Sequence, residues 1–177
     1  SSDVCSSDLT AHREALLGRG LSGSEIIRLG YKTTPAVRSA KIVTELLERG
    51  CDLKGVPGCY VDEVSGQWNL DIRATGIMVR ERKCEGQIEA IQIRLDKDTH
   101  SKFNTLTSVD KYYGATASCC PHFAGVTGEE DAVYLTEGVM KADIARYFST
   151  VLGHPCAFVG LTGVSYINQY VRMLEEL

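Results

Sequence analysis

The run Val133-Tyr134-Leu135-Thr136-Glu137-Gly138-Val139-Met140-Lys141-Ala142-Asp143 constrains the fold more than any other part of the chain. An apolar, strand-forming segment stops at a Glu-Gly pair, and helix-forming residues follow at once. A strand that feeds a helix through one glycine belongs to a sheet with helices on its face, and it presents its last side chain at the strand's carboxyl end. Ligands and catalytic groups gather there in α/β sheets. Gly138 permits the tight turn. Met140, Ile144, Phe148 and Val151 then recur at helical spacing, so the expected helix packs these on the sheet and leaves Lys141 and Arg146 nearer solvent. Cys156 to Leu161 reads as a second buried strand, Thr162-Gly163 as a turn and Ile167 to Leu177 as a second helix. This β-α-β-α order predicts a parallel sheet.

The chain has 177 residues and 44% hydrophobic content, enough for one medium domain or two small ones with a real core. No apolar run approaches the ~20 residues of a membrane-spanning helix and no secretory leader is visible, so the expectation is a cytoplasmic protein that does not engage membranes. The seven cysteines show no Cys-x-x-Cys spacing, which argues for reduced thiols over a disulfide framework or a zinc ribbon. The net charge of −4 disfavours a broadly basic nucleic-acid surface. Its distribution softens that objection: residues 119–177 carry 3 Lys+Arg against 7 Asp+Glu, while residues 1–118 carry 16 of each. An acidic half suits a divalent cation, and a balanced half can still present a local basic groove.

Four stretches follow along the chain. Residues 1–9 are polar and aperiodic and read as an artefact or disordered tail. Residues 10–54 read as a helical lead-in, with Ser22 or Ser24 as a cap and Gly30 and Gly50 as stops; no recognition-helix pattern supports a helix-turn-helix. Residues 55–130 turn to β: Gln67 to Ile72 alternates, Gly76 to Val79 is a short apolar strand, and Ile88 to Leu95 alternates so that Ile91, Ile93 and Leu95 face a core while Gln92 and Arg94 project from the other surface. Cys84 to Gln87 suits a hairpin turn, and Asp96 to Ser108 reads as a polar loop. Residues 131–177 carry the Glu-Gly unit.

Other constellations say less. Cys119-Cys120-Pro121-His122 invites a metal reading, but adjacent cysteines do not easily face one tetrahedral ion, and a structural loop is the simpler expectation. His12, His100 and His154 stand apart from one another and from any nucleophile. Gly160-Leu161-Thr162-Gly163 lacks a dinucleotide or Walker pattern and reads as a turn at the sheet's carboxyl edge, near Glu137.

The Glu-Gly strand end resembles the first motif of the Toprim domain, the Mg²⁺-binding fold shared by bacterial-type primases and topoisomerases. The longer string Tyr134 to Asp143 is similar to an uncharacterised domain family of phage and plasmid proteins found beside primase or helicase modules. Gly55 to Tyr60, Gly76 to Arg80, Gln92 to Asp96 and Lys111-Tyr112 follow in that family's order, so the resemblance covers the chain from about Leu16 onward. It implies a small helical segment and a mainly antiparallel β subdomain followed by an incomplete α/β Toprim-like parallel sheet. The Toprim pattern continues into a strand bearing Asp-x-Asp. No such pair lies downstream of Glu137, and Asp96-Lys97-Asp98 lies upstream, so the chain is expected to be a fragment with the N-terminal half of that domain.

The resemblance also implies roles. Glu137 matches the motif glutamate, a metal ligand or general base. Arg94 matches the strand arginine of the primase subdomain that precedes Toprim, Lys111 the lysine before tyrosine and Ser118 the nearby serine. Arg94, Lys111, Ser118 and Lys141 are therefore the expected substrate contacts, and Arg94 and Lys111 neutralise phosphate charge beside the metal. The implied function is Mg²⁺-dependent phosphoryl or nucleotidyl transfer in the complete protein, a primase-like factor of a mobile element acting on single-stranded DNA and nucleotides, with a helicase as a further partner. The alternative is a non-catalytic nucleic-acid- or helicase-binding module.

Overall fold

The computed structural model describes residues 10–35, 39–97, 101–118, 120–162 and 170–171. In chain order the elements are α1 Thr10–Leu17, α2 Gly23–Leu29, β1 Lys32–Thr33, α3 Ser39–Glu48, β2 Cys59–Val61, β3 Trp68–Leu70, β4 Gly76–Arg82, β5 Ile88–Leu95, β6 Phe103–Thr105, β7 His122–Ala124, β8 Val133–Glu137, α4 Val139–Val151 and β9 Ala157–Leu161. They form a mixed α+β protein of two compact units, one comprising Ser1–His12, Lys32–Met78 and Ile91–Ser118, the other Arg13–Tyr31, Val79–Ala90 and Cys119–Leu177.

The first unit is built on antiparallel pairing. Its part of the sheet ordered β1-β4-β5-β6 places Thr33 opposite Ile77 and Ile93 opposite Asn104. A separate ribbon pairs Cys59 with Leu70 and Val61 with Trp68, and the amphipathic α3 covers it, so that Val43, Leu53 and Cys59 form a core with Leu46, Trp68 and Leu70 against them. Two expectations change here. Gln92 is buried together with Ile93 while Ile91 and Leu95 are only half-buried, so β5 is covered on both faces at its middle. The polar stretch after Asp96 also contains a strand: β6 is too short and too polar to alternate visibly, and its pairing with β5 comes from the backbone, not from apolar side chains. The hairpin turn between β4 and β5, which falls in the second unit, is as expected, closed by Lys83 N–H to Gln87 O at 2.9 Å and Gly86 N–H to Lys83 O at 2.9 Å.

In the second unit Ser22 caps α2, its hydroxyl accepting from Glu25 N–H at 3.1 Å, and Gly30 ends the helix at φ 70. The sheet that carries Glu137 is mixed, not parallel throughout. β8 and β9 run parallel with Leu135 opposite Val159 and Glu137 opposite Leu161, whereas β7 joins the other side of β9 antiparallel. Val159, Leu161 and Tyr170 make the core on one face. α4 lies on the other, and its packing stripe is not the one that apolar periodicity predicts. Val139, Met140, Ala142 and Asp143 are buried, while Phe148 and Val151 are exposed. The helix turns this way because small and polar side chains suit what lies beneath: Ala142 meets Gly160, and Asp143 finds hydrogen-bond donors. Of the second predicted helix only Tyr170 and Val171 fall within the described residues.

Gly160 sets the closeness of that contact. A Cβ there would lie 2.8 Å from Gly138 O and 3.1 Å from Ala142 Cβ. Gly160→Ala should therefore push α4 off β9 and destabilise the protein by about 1–3 kcal/mol, read as a lower urea midpoint at unchanged slope; an unchanged midpoint would show that the helix yields freely.

Candidate functional site

Glu137 closes β8 and Gly138 is the N-cap of α4. Gly138 adopts φ 86 and ψ 148, a region essentially reserved for glycine, and its N–H donates to Leu161 O at 2.7 Å, tying the turn to the end of β9. The carboxylate thus stands at the carboxyl end of a parallel strand pair, as expected from sequence. It is open to solvent, with its side chain 69% exposed, and its partner is Lys141, whose Nζ donates to Oε2 at 3.0 Å. Exposed pairs one helical turn apart contribute only about 0.3–0.5 kcal/mol, so a phosphate or a cation can displace either member. The strand beneath is less covered than its composition suggests: Val133, Tyr134 and Leu135 are exposed, because β8 pairs with β9 on one side only among the described residues. Tyr134 stacks on Phe158, ring centroids 5.5 Å apart.

The remaining predicted residues lie in the first unit. Arg94 is half-buried on β5, opposite Phe103 of β6. Lys111 is exposed in the turn after β6, its Nζ 5.8 Å from the centre of the Tyr60 ring. That turn is held from below: Ser108, fully buried, donates its hydroxyl to Cys59 O at 2.7 Å and accepts from Ala115 N–H at 3.1 Å. Ser118 is exposed. The structure thus brings Glu137 and Lys141 together at one helix start, and Arg94 and Lys111 into one unit on separate elements.

Sequence reasoning missed the polar group beneath α4. Asp143, 6% exposed as a residue, accepts from Tyr31 Oη–H at 2.7 Å, and its other oxygen is 3.0 Å from His122 Nε2. His122 Nδ1 accepts from the backbone N–H of Arg82 at 3.0 Å, which places the imidazole proton on Nε2, donating to Asp143. His122 is therefore not in a loop. It opens β7, is fully buried and has both nitrogens engaged. Burial, and then the Asp143 charge, drives the Tyr31 hydroxyl well above the usual tyrosine range. Cys120, 3.8 Å from Glu81 Oε2, is inert for a related reason: burial first, then the Glu81 charge, pushes its thiol up to about 12. His12, isolated in sequence, is 2.6 Å from Asp96 Oδ1 and 2.9 Å from Thr33 Oγ1.

No protein-family model matches the chain, and no curated protein does. Solved structures do. The fold is similar to that of bacterial primase catalytic domains. The RNA polymerase domain of Mycobacterium tuberculosis primase DnaG superposes with a TM-score of 0.62 at 14% identity, over 90% of this chain and 52% of that one. A DNA primase domain from Pseudomonas aeruginosa gives 0.56 at 18% identity over 92% and 51%, and a DnaG primase catalytic domain bound to ssDNA gives 0.55 at 19% identity over 93% and 53%. The chain spans about half the length of these structures.

Proposed function

We propose that this chain belongs to a primase-like nucleic-acid-processing protein of a mobile element, which acts in the cytoplasm on single-stranded DNA and nucleotides and works beside a helicase. The observation that carries this reading is an exposed glutamate at the carboxyl end of a parallel strand pair, followed directly by Gly138 and α4, on a fold similar to primase catalytic domains. In the complete protein Glu137 serves as one ligand of Mg²⁺. The residues fit that ion in part: Mg²⁺ keeps several waters and takes one or two protein carboxylates together with substrate phosphates. Glu137 is exposed and separable from Lys141, whereas among the described residues no cluster of three His, Cys, Asp or Glu side chains is present. Bound there, the ion would supply Lewis-acid stabilisation of developing phosphate charge. The chain's own residues do the rest. Lys141, released from Glu137, offers a cation to a phosphate oxygen. Arg94 and Lys111 hold phosphates in the first unit, Arg94 with a planar fork suited to two oxygens and Lys111 as a point charge steadied by Tyr60, with Ser118 as a hydroxyl partner.

The nucleic-acid part of this reading is tested by Arg94→Ala. Loss of one phosphate contact should weaken binding of a fluorescent single-stranded oligonucleotide and flatten the dependence of log K on log salt by about 0.7. Anisotropy titrations between low and moderate salt measure both, and an unchanged slope would remove Arg94 from the interface.

A further inference from the structure

The second unit holds a cavity of about 210 Å³ that the chemistry at Glu137 does not use, lined by Arg28, Arg82, Arg146 and Asp143 with Phe123 and Gly125. Its charges do not cancel. Arg28 carries its own counter-ion, donating through Nε and Nη2 to both oxygens of Glu25 at 2.8 and 2.6 Å. Asp143 is occupied from within by Tyr31 and His122. Arg82 donates one N–H to Gly86 O at 3.3 Å and Arg146 one to Cys156 O at 2.9 Å, which leaves most of each guanidinium's five donors unspoken for. Arg80, on the same face of β4 as Arg82, points its Nε at Gly30 O, 3.4 Å away. Among the described residues no ion pair joins Arg80, Arg82 or Arg146 to a carboxylate. Burial, and then the charge of Arg82, holds the Arg80 guanidinium below the usual arginine range, although the Asp143 carboxylate acts in the opposite direction. Gly125 makes the arrangement possible, since a Cβ there would fall 2.3 Å from Arg146 Nε.

We propose that this cavity is a phosphate-binding site in which Arg82 and Arg146 clamp one phosphate group, carried by a nucleic-acid backbone or by a nucleotide. Ordinary small-molecule sites are roughly 300–1,000 Å³, so the volume admits a phosphate and not a whole nucleotide. Guanidinium forks match phosphate oxygens in pairs, which makes phosphate a better fit than a single-atom anion such as chloride. The site is separate from Glu137, which ends β8: Arg146 lies about two turns along α4 from Val139, roughly 10 Å on at 1.5 Å per residue.

The test is calorimetric titration of the full chain with inorganic phosphate, without divalent metal. Wild type should bind, Arg82→Ala should bind at least tenfold more weakly, and Lys54→Ala, at an exposed position in the other unit, should match wild type. Arg146→Lys keeps the charge but not the fork and should also weaken binding, which covers the case of a poorly folded Arg82 variant. Displacement of phosphate by an ordinary oligonucleotide but not by its uncharged methylphosphonate analogue would assign the group to a nucleic-acid backbone. Displacement by ATP alone would assign it to a nucleotide. No phosphate binding by wild type, or equal affinity in a folded Arg82→Ala, would overturn the site.

Discussion

Replacing Asp143 by alanine should destabilise the protein by about 3 kcal/mol. Two buried donors, the Tyr31 hydroxyl and His122 Nε2–H, would lose their acceptor, at roughly 1–3 kcal/mol each, partly offset because a buried carboxylate no longer has to be kept from water. Water does not screen this group, since the Asp143 and His122 side chains are 8% and 1% exposed. Tyr31→Phe should cost less, about 1.5 kcal/mol, because it deletes donor and hydrogen bond together. In the double variant the losses should fall short of additive, as both deletions remove the same contact. The group also sets an alkaline limit. The Tyr31 proton is held above its ordinary value near 10, so the associated stability is fully present below about pH 10 and is lost as the pH climbs beyond it. Tyr31→Phe should abolish that loss. Urea unfolding of the three variants against pH measures all of this, and an Asp143→Ala penalty under 0.5 kcal/mol would mean that the network does not hold α4.

The contrast between Glu137 and Asp143 shows what could be read from the sequence. Glu137, Gly138, the start of α4 and the parallel β8–β9 register are consequences of neighbouring residues: a strand pattern, a glycine and a helix pattern in immediate succession. Asp143 depends on partners 21 and 112 positions away. Nothing local distinguishes a buried aspartate on a helix from a solvated one, and the apolar stripe through Phe148 and Val151 pointed the helix the wrong way. His122 was hidden for a similar reason, since two cysteines and a proline before it suggested a loop or a metal. The signal that could have found it is Phe123 and Ala124, which extend it into a strand. The arginine cavity draws Arg28, Arg82 and Arg146 from α2, β4 and α4, and no spacing rule links them. β6 escaped because polar edge pairing leaves no hydrophobic period.

In the complete protein Glu137→Gln should abolish metal-dependent primer synthesis, a loss of about 10³-fold or more, because a neutral amide cannot anchor an ion whose charge stabilisation is worth several kcal/mol. This chain should show little such synthesis and only weak Mg²⁺ binding, since its described residues bring one carboxylate to the strand end and that carboxylate is already paired with Lys141. Lys141 then makes the reading testable without turnover. Removing the cation in Lys141→Ala should tighten Mg²⁺ or Mn²⁺ binding several-fold at low salt, while the same change should lower nucleotide affinity if Lys141 contacts phosphate in the assembled site. Structural loss would not produce this pair of opposite shifts, because the ion pair is solvent-exposed and contributes little to folding. Primer synthesis with Mg²⁺ or Mn²⁺ on this chain and on the complete protein, with metal titrations of wild type, Glu137→Gln and Lys141→Ala, separates the outcomes. Nucleic-acid binding that survives with no metal response in any variant would move the protein to a non-catalytic binding module, and robust synthesis untouched by Glu137→Gln would put the metal ligands elsewhere.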